Sequence, residues 1–260
     1  MDYPYETGSW NRYELIVLPI ALLVIIITAV LLGVFLKNKS LKARSIPLKI
    51  IAAVLLIAEI VKQILNIING YSWGVLPLHF CSLFVFFFPL SELMPQKIAR
   101  FFKPVSVVTA SAMSLLFYFG PNTIIGDSSY NIFFNDMPCS NFSEFMGVFY
   151  NCHTFFFHHL VILYFALSLA LNLYTAEKKD VLKVLIVIEC YVIIAMPIAH
   201  LTGANFCSML TGVVPFMETL RLALGQWGYS LIMHIVLSGG CALITYAYYS
   251  ISKLLTKKRS

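Results

Sequence analysis

The feature that most constrains this chain is a series of apolar runs, each about as long as a bilayer is thick, divided by short polar connectors. Residues 15–36, LIVLPIALLVIIITAVLLGVFL, contain no charged side chain. A helix needs about 20 apolar residues to cross a hydrocarbon core about 30 Å thick. Runs of this kind recur through all 260 residues, of which 60% are hydrophobic and 12% charged. A soluble domain carries about 25% charged residues, so too little charge is present to clothe a soluble surface. The expectation is an all-α, polytopic membrane protein forming one domain over 1–260. The spacing predicts seven transmembrane helices, at 14–36, 49–69, 75–94, 104–120, 147–173, 183–203 and 227–250. The leading MDYPYETGSWNRYE lacks a basic n-region and a small-residue cleavage site. The run behind it is therefore expected to remain as the first span.

The connectors divide by charge. KNKSLKAR, QKIARFFK, AEKKDVLK and the tail KLLTKKRS hold most of the 18 Lys and Arg. The alternate set is the N-terminus, 70–74, 121–146 and 204–226, whose basic residues are Arg12 and Arg221. Basic loops stay in the cytoplasm. This predicts an external N-terminus, a cytoplasmic C-terminus and a multi-pass cell-membrane location. The lysine-rich, arginine-poor composition suggests a bacterial plasma membrane. The net charge of +6 is thereby assigned to topology, and no nucleic-acid partner is expected. Cys139 and Cys152 could pair on an oxidising side.

Ionisable groups are costly in hydrocarbon and usually face a protein interior or a cavity. Glu59, Lys62, Gln63, Asn66 and Asn69 fall on one face of span two. Glu59 and Lys62, three apart, can pair there, either as helix glue or as a cavity wall. Other intramembrane candidates are His79 and Cys81 in span three and His158 and His159 in span five. Span six adds Glu189 and His200, with Asn205 just beyond it, and span seven adds His234. At about 1.5 Å per residue, Cys81, His158, His200 and His234 are expected in one outer layer, fed by four helices.

Three chemistries fit such a layer. A thiolate at Cys81, deprotonated by a histidine of span five, would attack an ester and hold its acyl group as a thioester. Pro77 is well tolerated at a helix start, which would place Cys81 in the first turns, where the dipole favours an anion. A metal or haem site would draw on His79, Cys81 and two further histidines. No C-x-x-C or H-E-x-x-H accompanies the H-x-C spacing, and no metal or cofactor is expected. A transporter or small-ligand-binding protein would use the same polar cavity for relay or passage, although no internal repeat marks one.

Three stretches narrow the choice: LPLHFCSL at 76–83, FFFHHLVIL at 155–163, and HLTGANFCSML…RLALGQWGYSLIMH from 200 to 234. Their order and spacing over about 50–250 resemble the YwaF family of bacterial integral membrane proteins, which is related to the transmembrane protein 164 acyltransferases. The resemblance implies a seven-helix fold and a Cys–His catalytic pair. It implies lipid acyl transfer between phospholipid and lysophospholipid substrates without a coenzyme A thioester. By motif the nucleophile falls on Cys81 and the base on His158. The family pattern has a small residue after that histidine, and His159 departs from it. Asn205 matches the T-G-x-N asparagine and is expected to orient the histidine or bind an ester carbonyl. His79, His200, His159, Glu59, Lys62 and His234 are expected in supporting roles. A related clan, the androgen-induced-protein hydrolases, cleaves fatty esters in a similar fold, which makes intramembrane ester hydrolysis the close alternative.

Overall fold

The structure is a computed structural model that describes residues 12–119, 139–212 and 215–257. Most of the expected external loop 121–146, and the segment before residue 12, lie outside the described residues. Among the described residues seven α-helices follow one another: α1 (Arg12–Leu36), α2 (Leu41–Ile68), α3 (Phe84–Glu92), α4 (Gln96–Phe119), α5 (Phe142–Ala170), α6 (Asp180–Thr202) and α7 (Pro215–Lys257). All but α3 are long and apolar enough to cross a membrane. Local chemistry sets several ends. The Asn141 side chain accepts from the Glu144 amide (3.0 Å) while the Glu144 carboxylate accepts from the Ser140 amide (2.7 Å), a reciprocal cap on α5. Gly203, at φ 71°, ends α6 in the left-handed conformation. Gly225, at φ 70° and ψ 171°, divides α7 in two, so the predicted span at 227–250 is its second piece.

The packing suits a lipid solvent. Helix α4 lies at the centre, with 67% of its apolar window buried against 22% for α1. It touches α3, α5, α6 and α7. Its buried face carries Ser106, Thr109, Ser111 and Ser114. Small side chains let helices approach closely. Ser106 donates across to the Phe87 carbonyl of α3 (2.9 Å), while Thr109, Ser111 and Ser114 donate to carbonyls of α4 itself. The opposite surfaces of α1, α2 and α7 expose Leu23, Val24, Ile57, Ile60, Leu231 and Ile235, the side chains a hydrocarbon phase accepts.

Helices α2 and α5 run antiparallel, as do α3 and α4, and this sorts the connectors. Arg44 near the start of α2 donates to the Leu171 carbonyl at the end of α5 (3.1 Å), and Tyr150 near the start of α5 meets Asn66 at the end of α2 (3.4 Å). Lys103 near the start of α4 pairs with Glu92 at the end of α3 (2.5 Å), and Tyr164 of α5 donates to the same carboxylate (2.6 Å). The lysine-rich connectors 37–44, 94–103 and 174–183 therefore gather at one end. Asn66, Ser72 and Tyr150 mark the other.

The third span departs from expectation. Residues 75–94 form no continuous helix. A 3-10 turn at Trp73–Val75 leads into irregular backbone, a second 3-10 turn at Cys81–Leu83 follows, and only then does α3 begin. The apolar helical stretch Cys81–Glu92 reaches about 18 Å at 1.5 Å per residue, well short of the core. Irregular backbone at membrane depth survives only where protein covers it or a cavity faces it. Here protein supplies the cover, through hydrogen bonds from α2 and α6 to the carbonyls of 72–78.

Candidate active site at the broken third span

The polar face of α2 organises the site. Glu59, Lys62 and Asn66 are buried, and the expected pair forms, with Lys62 Nζ 2.8 Å from Glu59 Oε2. Gln63 Nε2 donates both to Glu59 Oε1 (2.7 Å) and to the Val75 carbonyl (2.8 Å). Asn66 donates to the Ser72 carbonyl (3.3 Å) and accepts from the Ser72 amide (3.2 Å). One helical stripe thus satisfies the open backbone of 72–75, which otherwise leaves buried polar groups unpaired.

Cys81 stands where this segment becomes helical. It opens a 3-10 turn and is partly buried against the main apolar core. The depth expected from a regular third helix therefore does not apply, because residues 75–80 descend without helical rise. From the far side, the Tyr191 hydroxyl of α6 donates to the Leu78 carbonyl (2.5 Å) and lies 2.6 Å from the Cys207 sulfur. His79 is tied back into its own loop. Its Nε2 is 3.1 Å from the Gly74 carbonyl, and its ring stands edge-on to Phe206 at 5.2 Å.

On α5, His158 Nδ1 lies 2.7 Å from the Thr154 carbonyl and His159 Nδ1 lies 2.7 Å from the Phe155 carbonyl. A carbonyl only accepts, so in both rings the proton sits on Nδ1 and Nε2 keeps its lone pair. Both Nε2 atoms are buried with no hydrogen-bond partner among the described residues. The two rings face different surroundings. His159 lies 4.1 Å from the Phe155 ring and edge-on to Phe117 at 5.2 Å. His158 also packs on Phe117, its ring stacked at 6.1 Å, and stands edge-on to Phe157 at 5.8 Å. Lys62, paired with Glu59, is a charge whose field reaches the candidate nucleophile, the candidate base and His79.

The structure adds a histidine that the sequence reading passed over. His153, one turn before the pair, places Nε2 3.7 Å from Glu59 Oε2, and both side chains are more than nine-tenths buried. It interacts electrostatically with Lys62 and His158 and stacks on Phe157 at 5.4 Å. A signal was present. His153 is followed by Thr154, a small residue of the kind that the family pattern asks for and that His158 lacks.

The remaining candidates lie elsewhere, so the expected four-helix layer divides. His200 stacks on Trp227 at 4.0 Å and meets Ser230 at 3.3 Å, and His234 pairs with Glu189 at 2.7 Å. Both belong to the seam between α6 and α7. Asn205 does not orient a histidine. Its amide donates to the hydroxyl (2.7 Å) and carbonyl (3.1 Å) of Thr211, and its oxygen accepts from the amides of Leu210 (2.8 Å) and Thr211 (3.1 Å). Every hydrogen-bonding position of the side chain is engaged in stapling the loop after α6. Cys139 and Cys152 are free thiols. Among the described residues no group of His, Cys, Asp and Glu is arranged to hold a metal ion.

A family model described as the TMEM164 family matches residues 8–246. No curated protein and no solved structure matches the chain.

Proposed function

From the premise that the chain belongs to the TMEM164 family, we propose that it is a membrane-embedded lipid acyltransferase that works through Cys81 and His158. The observation that carries this reading is an oriented base on α5, with Lys62 a charge whose field reaches both it and the thiol. The free Nε2 lone pair of His158 is aimed by the Thr154 carbonyl, and Lys62 is the charge shared by His158 and Cys81. A thiol becomes a nucleophile as its thiolate, and a nearby ammonium favours that form.

In the first half-reaction His158 Nε2 takes the Cys81 proton. The sulfur bonds to the ester carbonyl carbon of a phospholipid, and the ester C–O bond breaks. His158 returns the proton to the leaving glycerol oxygen, which departs as a lysophospholipid. In the second half-reaction a hydroxyl oxygen attacks the thioester, the C–S bond breaks and the thiol is regenerated. A lysophospholipid acceptor gives transfer, and water gives hydrolysis. Apolar side chains surround the site, in keeping with phospholipid substrates drawn from the bilayer. By the distribution of basic connectors, the site lies in the outer half of a bacterial plasma membrane, with the N-terminus outside.

The test uses purified full-length protein in phosphatidylcholine vesicles whose acyl chains are radiolabelled, with lysophosphatidylethanolamine as acceptor. The expected result is labelled phosphatidylethanolamine, a hydroxylamine-sensitive label on the protein, and loss of both in Cys81→Ala. Full activity in Cys81→Ala would overturn the covalent mechanism. Labelled free fatty acid in place of labelled phosphatidylethanolamine would assign the protein to hydrolysis.

A further inference from the structure

His153 and Glu59 have no part in the half-reaction that forms the acyl-enzyme. They place a buried imidazole nitrogen beside a buried carboxylate. Glu59 is fixed on three sides, by Lys62, by Gln63 and by the helix that carries it. Its Oε2, already 2.8 Å from Lys62 Nζ, lies 3.7 Å from His153 Nε2, and that nitrogen has no hydrogen-bond partner among the described residues. The Lys62 contact to Oε2 is an ion pair rather than an aligned hydrogen bond. Nε2 is the atom left without a partner, and a hydroxyl about 2.8 Å from it can donate its proton there, beside the carboxylate. Buried polar atoms without partners call for a reason, and a ligand group is one.

His153 also stands apart from His158. Five residues along an α-helix correspond to about 140° of rotation and about 7.5 Å of rise. The two imidazoles therefore approach a substrate at different points while sharing Lys62 as a neighbour. Acyl transfer has two proton transfers at different oxygens, one on the leaving glycerol and one on the incoming alcohol.

We infer that Glu59 and His153 form the acceptor half-site, a second acid–base unit that binds and deprotonates the lipid hydroxyl attacking the Cys81 thioester. The hydroxyl proton passes to His153 Nε2, and the Glu59 carboxylate stabilises the imidazolium. The alcohol oxygen bonds to the thioester carbon. The C–S bond breaks, and the Cys81 thiolate departs beside the Lys62 ammonium. His153 then returns its proton to the thiolate, directly or through His158. No oxidant or cofactor enters the balance. The inference rests on the thioester reading above and gives the two histidines separate steps.

The experiment separates those steps with the radiolabelled phosphatidylcholine vesicles and lysophosphatidylethanolamine already described. In His153→Asn and Glu59→Gln, turnover falls about 100-fold, within the range of a lost acid–base group, while label accumulates on the protein. In His158→Asn, turnover falls without accumulation. Hydroxylamine, a nucleophile that needs no general base, releases the trapped label from His153→Asn and leaves His158→Asn inactive. Glu59→Gln keeps the size of the carboxylate and removes its charge, so it stands in if His153→Asn does not fold. Loss of label in His153→Asn and in Glu59→Gln, with wild-type protein still labelled on acid quench, would overturn the acceptor site alone. Absence of label from every variant and from wild type would overturn the thioester reading and this inference with it.

Discussion

His158 and His159 share a backbone geometry, the same kind of tie from Nδ1 to a carbonyl four residues back, and a buried Nε2. What separates them is a rotation of about 100°. It leaves His158 stacked on Phe117 at 6.1 Å and within the field of Lys62, and sets His159 edge-on to Phe117 at 5.2 Å and against Phe155 at 4.1 Å. Replacing each with Asn should give unequal results. Loss of His158 removes the general base, expected to cost about 100-fold or more in turnover. Loss of His159 removes packing against aromatic rings, expected to change turnover by less than about tenfold and to appear chiefly as lower thermal stability. Equal losses of turnover would reverse the assignment. A second prediction concerns the other end of the bundle. Glu92 is buried, and its carboxylate collects Lys103, Tyr164 and Ser91. Lys103→Met would strand that carboxylate, and removing one partner of a buried ion pair costs about 3–5 kcal/mol. Unfolding of detergent-solubilised protein should register that loss. Tyr164→Phe should cost about 1–2 kcal/mol through one lost hydrogen bond to a charged group.

At the scale of elements, legibility followed how much of each element's stability lies within its own residues. α1, α2, α5 and α6 each satisfy their backbone internally over an apolar run, so length and composition found them. The third span did not follow, because an apolar run of the same length can also be irregular backbone that its neighbours satisfy. The bonds that allow it come from Gln63, Asn66 and Tyr191, and no local pattern announces those partners. Pro77 fits a helix start and an irregular descent equally well. Asn205 failed for a similar reason. A motif gives a side chain's identity, while its hydrogen bonds to Thr211 and Leu210 decide its work. The pairing of Glu59 with Lys62 was readable because a spacing of three on a helix is a local property. Gln63 yields the element-scale prediction. Gln63→Leu removes the donor to the Val75 carbonyl and leaves the α2 backbone hydrogen bonds intact. Amide hydrogen exchange should rise across 72–80 and stay unchanged through 48–60. Unchanged exchange across 72–80 would show that the segment holds its shape without α2.

At the scale of the whole molecule, the bundle places the lysine-rich connectors together and leaves Arg12 and Arg221 on segments assigned to the other end. Local sequence suggested this alternation, and the cross-bundle contacts of Arg44 with Leu171 and of Tyr150 with Asn66 give it a geometric basis. Geometry alone fixes which connectors share a side. The charge rule then assigns the basic side to the cytoplasm, and that assignment is open to direct measurement. Cys139 is an exposed free thiol just before α5, at the end away from the lysines. In a chain whose other cysteines are replaced by serine, a membrane-impermeant maleimide should label Cys139 in intact cells. With Cys139 also replaced, Lys39→Cys in the α1–α2 connector should label only after permeabilisation. The reverse pattern would invert the molecule and move Cys81 to the inner leaflet, so the same two labelling reactions decide which leaflet supplies the acyl chains.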